Sequence, residues 1–127
     1  MVTYFFKLNQ INIYKENISI VDVGGKRNII FFSTILKSFK IPFVVLLDSD
    51  SDSKDSQHTQ KLNEKICDHV GKDCVFFADP NLEKVLNLSV GAKDSKPRIV
   101  FDMVSSLNDK NQIPEIINSA IKKLNNI

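Results

Sequence analysis

The sequence is poor in cysteine, the residue from which thiolate metal sites and disulfide frameworks are built. It has only two, Cys67 and Cys74, and neither belongs to a CxxC pair or has a histidine pair beside it. Metal-thiolate sites and disulfide-stabilised folds need several or closely spaced cysteines. We therefore expect both thiols to be ordinary buried or half-buried side chains.

Long apolar runs are also absent. No stretch approaches the ~20 residues that a membrane-spanning helix needs, and the first ten residues show no basic segment followed by an apolar core and a cleavage site. These absences predict a cytoplasmic protein with no membrane partner. The length of 127 residues predicts one domain, and 43% hydrophobic with 25% charged residues excludes a disordered chain.

Arginine is scarce among the basic residues. Of 17 basic residues only Arg27 and Arg98 are arginine, and the rest are lysine. Proteins dedicated to reading phosphates or bases usually rely on the arginine fork. The net charge of +2 therefore neither requires nor excludes a nucleic acid partner.

What the sequence does contain is an alternation of strand-like and helix-like segments. Buried strands, each a short apolar run, are predicted over residues 18–23, 43–47 and 74–77. Helices, marked by apolar spacing or by an opening proline, are predicted over residues 26–40, 56–70, 80–88, 97–107 and 114–125. Asp79 is the predicted N-cap of the helix over 80–88. This order predicts a three-layer α/β fold with a mostly parallel sheet and extra C-terminal helices.

The first seventeen residues allow two interpretations. The letters VTYFF have strand propensity. Phe5, Phe6, Leu8 and Ile11 also fit one face of a helix. Both assignments stay open on the sequence.

Two carboxylates follow the second predicted strand. Asp48 and Asp50 leave the strand at positions i and i+2, where ligands bind in open parallel sheets. Paired carboxylates repel unless a cation neutralises them, and Mg²⁺ or Mn²⁺ suits such oxygen ligands. The alternative is a solvated acidic loop. A calcium-binding EF-hand loop is excluded, because Ser53 stands in place of the required glycine and Thr59 in place of the bidentate glutamate.

Three further features lie beside predicted helix starts. A predicted strand is joined to a helix by Gly24, Gly25 and Lys26. This arrangement suits either a bound phosphate or only a tight turn. Glu83 follows the third predicted strand. It therefore either reaches the sheet edge that carries Asp48 and Asp50 or only interacts favourably with the dipole of its own helix. Lys96 precedes a proline-initiated helix, where a lysine is usually solvated.

The order of these motifs resembles one known family. VGGKRN, IPFVVLLDSD, DPNLE and a KP pair, spread over residues 18–124, are similar to the TOPRIM domain of OLD-family (overcoming lysogenization defect) ATP-dependent endonucleases. The resemblance implies a two-metal nuclease that cleaves DNA phosphodiesters with Mg²⁺ or Mn²⁺. It implies a parent protein with an ABC-type ATPase domain. GGK-N and the strand-end DxD are its specific parts.

The resemblance also implies residue roles. Asp48, Asp50 and Glu83 would be metal ligands, with Asp48 and Asp50 at the catalytic centre. Lys96 would be the catalytic cation that stabilises charge on the phosphate. Gly24, Gly25 and Lys26 would shape the neighbouring turn.

The start of the sequence departs from the family pattern. TOPRIM domains begin with a strand ending in a glutamate, but before Ile18 there is only Glu16, too close to the next strand. We expect residues 1–127 to form a single, N-terminally incomplete TOPRIM-like domain that is weak or inactive alone. One alternative is a module that binds a nucleotide or nucleotide-sugar through a metal on the DxD. Another is a non-catalytic remnant that forms a homodimer through an exposed sheet edge.

Overall fold

A computed structural model describes residue 6, residues 8–86 and residues 113–127. Within these ranges the main helices are α1 (Lys26–Ser38), α2 (Ser56–Val70), α3 (Leu82–Val85) and α4 (Glu115–Asn125). The strands are β1 (Val45–Asp48) and β2 (Val75–Ala78), and a 3-10 turn, Lys72–Cys74, leads from α2 into β2. None of the described helices combines the length and apolarity needed to cross a bilayer.

The two strands form a parallel pair. Val45 lies opposite Val75, and Asp48 lies opposite Ala78. Helix α2 is the connection between the strands, as parallel pairing requires. Both strands therefore end at the same edge of the sheet. This confirms the predicted α/β fold class.

Helices pack on both faces of this pair. On one face Ile29 of α1 and Ile66 of α2 form a buried cluster with residues of both strands, among them Leu47. On the other face Ile117 of α4 belongs to a second cluster, against which Leu46 packs. Consecutive strand residues point to opposite faces. The neighbours Leu46 and Leu47 thus join the two helical layers through the sheet.

Most predicted element positions are confirmed. α2 has the predicted bounds, and it ends at Gly71, whose φ of 106° is the left-handed conformation that suits glycine. The bounds of α1, α4 and both strands differ from the predictions by only one or two residues. Cys67 and Cys74 are free, half-buried thiols, as predicted.

Two of the predicted helices are not described over their full predicted length. Of the helix predicted over 80–88, the described residues contain α3, and its cap is Asn81, whose side chain accepts a hydrogen bond from the backbone N–H of Lys84. Residues 87 and 88 lie outside the described residues. Asp79 was predicted to be that cap and is not, because its carboxylate accepts hydrogen bonds from two serines instead. The helix predicted over 97–107 lies outside the described residues.

The buried strand predicted over residues 18–23 is wrong. The segment has no regular secondary structure, and Ile20 and Val21 are 46% and 65% exposed. β-branched composition favours an extended backbone but does not supply a neighbouring strand. Within the described residues the sheet consists of β1 and β2, and the segment pairs with neither.

The described part of the N-terminal segment is helical at two residues, and residues 9–17 form turns and irregular structure. Phe6 and Leu8 are helical. Phe6 is buried in the cluster of α4, and Leu8 and Ile11 pack against that cluster. Residues 1–5 and 7 lie outside the described residues.

The outer surface of α1 is apolar. Phe31, Ile35 and the C-cap residue Phe39 recur at four-residue steps, and they are 63%, 38% and 72% exposed. Phe32 adds an edge-to-face ring contact with Phe31, at a centroid distance of 5.6 Å. An ordinary surface helix is polar on its outer side. α1 therefore exposes large apolar side chains in addition to those it buries.

Candidate functional site

The loops that follow β1 and β2 are bonded to each other. The backbone N–H of Ser49 donates to the carbonyl of Ala78 at 3.0 Å, one residue beyond the strand pairing. The backbone N–H of Asp50 donates to the carbonyl of Pro80 at 2.8 Å. The Asp-Ser-Asp segment is thus fixed against the segment that leads into α3.

Asp48 lies at the end of β1 and contacts the start of α3. Its Oδ1 accepts a hydrogen bond from the backbone N–H of Leu82 at 2.9 Å. Glu83 is the next residue of α3, so the chain carries a second carboxylate one position beyond the amide that Asp48 binds. Asp48 and Glu83 each make further interactions. The carboxylate of Asp48 is thus bonded to the backbone position next to Glu83, another predicted metal ligand.

Asp50 contacts Lys26 instead. The Nζ of Lys26 lies 2.6 Å from Oδ2 of Asp50. Asp50 has a positive φ of 54°, a conformation that aspartate tolerates better than most residues. Lys26 is thus engaged with a predicted metal ligand, which favours the turn interpretation of the glycine motif over a phosphate held by Lys26.

The glycine turn explains how Lys26 reaches this place. Gly24 and Gly25 have φ values of 75° and 134°, which side-chain-bearing residues adopt only with strain. Two side chains close the turn: Asp22 accepts from the N–H of Gly24 at 2.9 Å, and Asn28 donates to the carbonyl of Val23 at 2.8 Å. The turn makes Lys26 the first residue of α1.

Asn63 connects these parts and was not predicted from the sequence. It is 4% exposed on the inner face of α2. Its Nδ2 donates to the carbonyl of Ser49 at 2.8 Å, and its Oδ1 accepts from Nζ of Lys26 at 3.1 Å. The sequence did indicate a buried polar residue here, because Asn63 lies three positions before buried Ile66 on the same helix. Buried polar groups at such positions are normally hydrogen-bonded.

Asp79 is a second unpredicted participant. Ser49 Oγ donates to its Oδ1 at 2.5 Å, and Ser51 Oγ donates to the same atom at 2.7 Å. These hydrogen bonds, first that from Ser49 and then that from Ser51, hold the pKa of Asp79 below its ordinary value. The two serines of the Asp-Ser-Asp-Ser segment thus attach it to the end of β2.

The lowered pKa of Asp79 predicts how stability depends on pH. Because the pKa is lower in the folded state, the serine hydrogen bonds contribute stability above the unfolded-state pKa, about 4. This contribution is lost as the pH falls through the folded-state pKa. We expect Ser49→Ala to raise the pKa of Asp79, measured by carboxyl NMR titration, more than Ser51→Ala does. Titration of Asp79 at its ordinary value in the wild type would contradict the assignment.

An open polar groove of about 700 Å³ lies between α2 and the strand ends. Its walls include Ser49, Gln60, Asn63, Glu64 and Asp79. Neither Asp48 nor Asp50 lines it. The groove is thus lined by Ser49 and Ser51, the two neighbours of Asp50, but not by the predicted ligands themselves.

The donor chemistry at Asp48 and Asp50 suits a hard divalent cation, since both offer carboxylate oxygens at one sheet edge. Across the described residues, however, no group of three or more histidine, cysteine, aspartate or glutamate side chains is arranged to hold a metal. One of the two carboxylates already has the lysine ammonium beside it. Lys96 lies outside the described residues.

Comparison with known proteins adds two findings. Residues 1–50 match the family model "Overcoming lysogenization defect protein-like, TOPRIM domain", a range that includes the glycine turn and both Asp48 and Asp50. The chain is also 26% identical, over 126 aligned residues, to an OLD nuclease of Thermus scotoductus. The alignment covers 88% of this chain and 24% of that relative, so the chain spans about a quarter of the relative's length. The resemblance predicted from the sequence motifs is confirmed.

Proposed function

We propose that this chain is a TOPRIM nuclease domain of the OLD type, which holds Mg²⁺ or Mn²⁺ at Asp48 and Asp50 and serves metal-dependent cleavage of DNA phosphodiesters. One observation carries the proposal. The parallel pairing of β1 and β2 brings the Asp-Ser-Asp segment to the carboxyl edge of the sheet, beside the helix that carries Glu83. Ligand sites of parallel sheets lie at this edge. The match of residues 1–50 to the family model supports the same assignment.

The proposed roles follow from the donor set. Asp48 and Asp50 would hold the cation, with Glu83 as a further ligand from the adjacent helix. When bound, such a cation polarises the phosphate and makes a bound water more acidic. The chain's own part is orientation, since the Leu82 amide fixes Asp48 and Asn63 fixes the Ser49 backbone between the two aspartates.

Lys96 is proposed as the cation that stabilises negative charge developing on the phosphate. A fixed positive charge at that position is worth most where it meets charge present only in the transition state. Gly24 and Gly25 are proposed to serve the site indirectly, through the turn that positions Lys26. In the parent protein, DNA would be the substrate and an ABC-type ATPase domain a covalently linked partner.

We expect the isolated chain to be weak or inactive. Two-metal catalysis needs enough carboxylates to hold both ions, and within the described residues no group of three or more possible ligand side chains is arranged to hold a metal. With so few anionic ligands, we expect the affinity of the site for Mg²⁺ or Mn²⁺ to be low.

The test is nicking of supercoiled plasmid with Mg²⁺ or Mn²⁺. We expect slow nicking that requires the metal and disappears in both Asp48→Ala and Asp50→Ala, because each variant removes one anionic ligand. Nicking that persists in both variants or in EDTA would contradict the proposed function. Rapid turnover by the wild type would contradict only the expected weakness of the isolated chain. Failure to nick, together with failure to bind Mn²⁺, would also reject the proposal.

A second candidate role is self-association. The outer face of α1 exposes Phe31, Ile35 and Phe39, and exposed apolar patches of this kind mark interaction surfaces. A homodimer formed through this face is compatible with the nuclease role. Sedimentation velocity distinguishes a monomer from a dimer.

A further inference from the structure

Lys26 is unusual among the lysines at this end of the molecule because its side chain is largely buried. It is 16% exposed, and its ammonium lies 2.6 Å from Asp50 and 3.1 Å from Oδ1 of Asn63. Lys84 makes an ion pair of the same length with Asp52 in the same loop, but its side chain is 58% exposed. Lysines are seldom buried unless they are paired. The two ion pairs thus differ in the burial of the lysine, while Asp50 and Asp52 are similarly exposed, at 41% and 45%.

The position of Lys26 in α1 gives it no local advantage. It is the first residue of the helix, and the first turn contains no acidic side chain that could offset its charge. The helix dipole is positive at this end and disfavours a cation there. Two glycines with positive φ are needed to bring the chain into this turn. The contact with Asp50 and Asn63 is therefore what stabilises Lys26 at this position.

Lys26 supplies a positive charge next to negatively charged carboxylates. Asp48 ends β1 and Asp50 follows it two residues later, and ionised carboxylates that lie near each other repel. In the protein without a metal, the Lys26 ammonium offsets part of this repulsion. A divalent cation at the same carboxylates would lie close to that ammonium, and like charges at such distances repel strongly where water is partly excluded.

We infer that Lys26 is an internal counter-ion of the metal site: it pairs with Asp50 and is displaced from it when a divalent cation binds. The inference rests on the proposed function, because it concerns the same site. Asn63 remains a partner for the displaced ammonium, and its own position is fixed by the Ser49 carbonyl. Metal binding thus exchanges one cation for another at Asp50.

The experiment compares Mn²⁺ binding by the wild type, Lys26→Met and Lys26→Gln, measured by electron paramagnetic resonance at low ionic strength. Lys84→Met is the matched control, since it removes an ammonium at the same distance from an aspartate in the same loop. Lys26→Gln keeps a polar group that can bond to Asn63. It therefore still tests the inference if the methionine variant does not fold. Thermal unfolding without metal and with saturating Mn²⁺ is the second readout.

We expect both Lys26 variants to bind Mn²⁺ about three- to tenfold more tightly than the wild type, because the competing charge is gone. They should have a lower Tm without metal and a larger rise in Tm with it, while Lys84→Met behaves like the wild type. Equal or weaker binding by both Lys26 variants would overturn the inference and leave the proposed function standing. Absence of Mn²⁺ binding in every protein, including the wild type, would reject the proposed function and the inference with it.

Discussion

Asp48→Asn is expected to lower the affinity for Mn²⁺ by about 10–100-fold without unfolding the protein. Loss of an outer partner of a metal ligand already costs that much, and this change removes the negative charge of a proposed ligand itself. Asparagine retains an Oδ1 that can accept the hydrogen bond from the Leu82 amide, 2.9 Å away in the wild type. The variant therefore separates the electrostatic role of Asp48 from its structural role. Mn²⁺ titration gives the affinity, and urea unfolding gives the stability.

Asp52→Asn is the control for this prediction. It removes the same charge from the same loop, but Asp52 pairs with exposed Lys84 and is not proposed as a ligand. At an ionic strength of about 0.15 M we expect its affinity for Mn²⁺ to stay within about twofold of the wild type, because exposed charges are well screened under that condition. Equal losses in Asp48→Asn and Asp52→Asn would show that the loop attracts cations only by its total charge.

Ile66→Ala is expected to lower the free energy of unfolding by about 3–4 kcal/mol, within the range for large-to-small core substitutions. Ile66 is 0% exposed and lies in the cluster that joins α1 and α2 to the strands. Removing its outer atoms leaves a cavity that the surrounding side chains fill only in part. Denaturant unfolding monitored by circular dichroism measures the loss.

Ile35→Ala deletes the same atoms on the outer face of α1, where the side chain is 38% exposed. We expect a loss below about 1 kcal/mol, since less apolar area returns to water and no enclosed cavity forms. Similar costs for the two variants would mean that α2 does not pack on the strands as described.

Helices and strands whose ends are marked by a local residue pattern were predictable from the sequence. α2 was predicted with its observed bounds because its apolar residues recur at four-residue steps and a glycine ends it. The strand ends at Asp48 and Ala78 were predictable within a residue, since apolar runs stop there. The fold class and the edge that carries the Asp-Ser-Asp segment followed from these elements.

Interactions between distant residues were not predictable in the same way. Asn63 bonds to Lys26 across 37 positions and to Ser49 across 14, and no local pattern encodes either partner. Asp79 and Asn81 are equally plausible caps by residue type, and only the positions of Ser49 and Ser51 decide between them. Residues 18–23 have the composition of a strand, but a strand also needs a neighbour.

The apolar outer face of α1 has a practical consequence for colloidal stability. Phe31, Phe32, Ile35 and Phe39 are all at least 38% exposed, while the net charge is only +2. So small a charge provides little long-range repulsion between molecules in solution. Added salt screens even this repulsion and leaves the attraction between apolar faces in place. The purified chain should therefore stay dispersed best in dilute solution at low ionic strength, the regime in which the proposed cation binding is also easiest to measure.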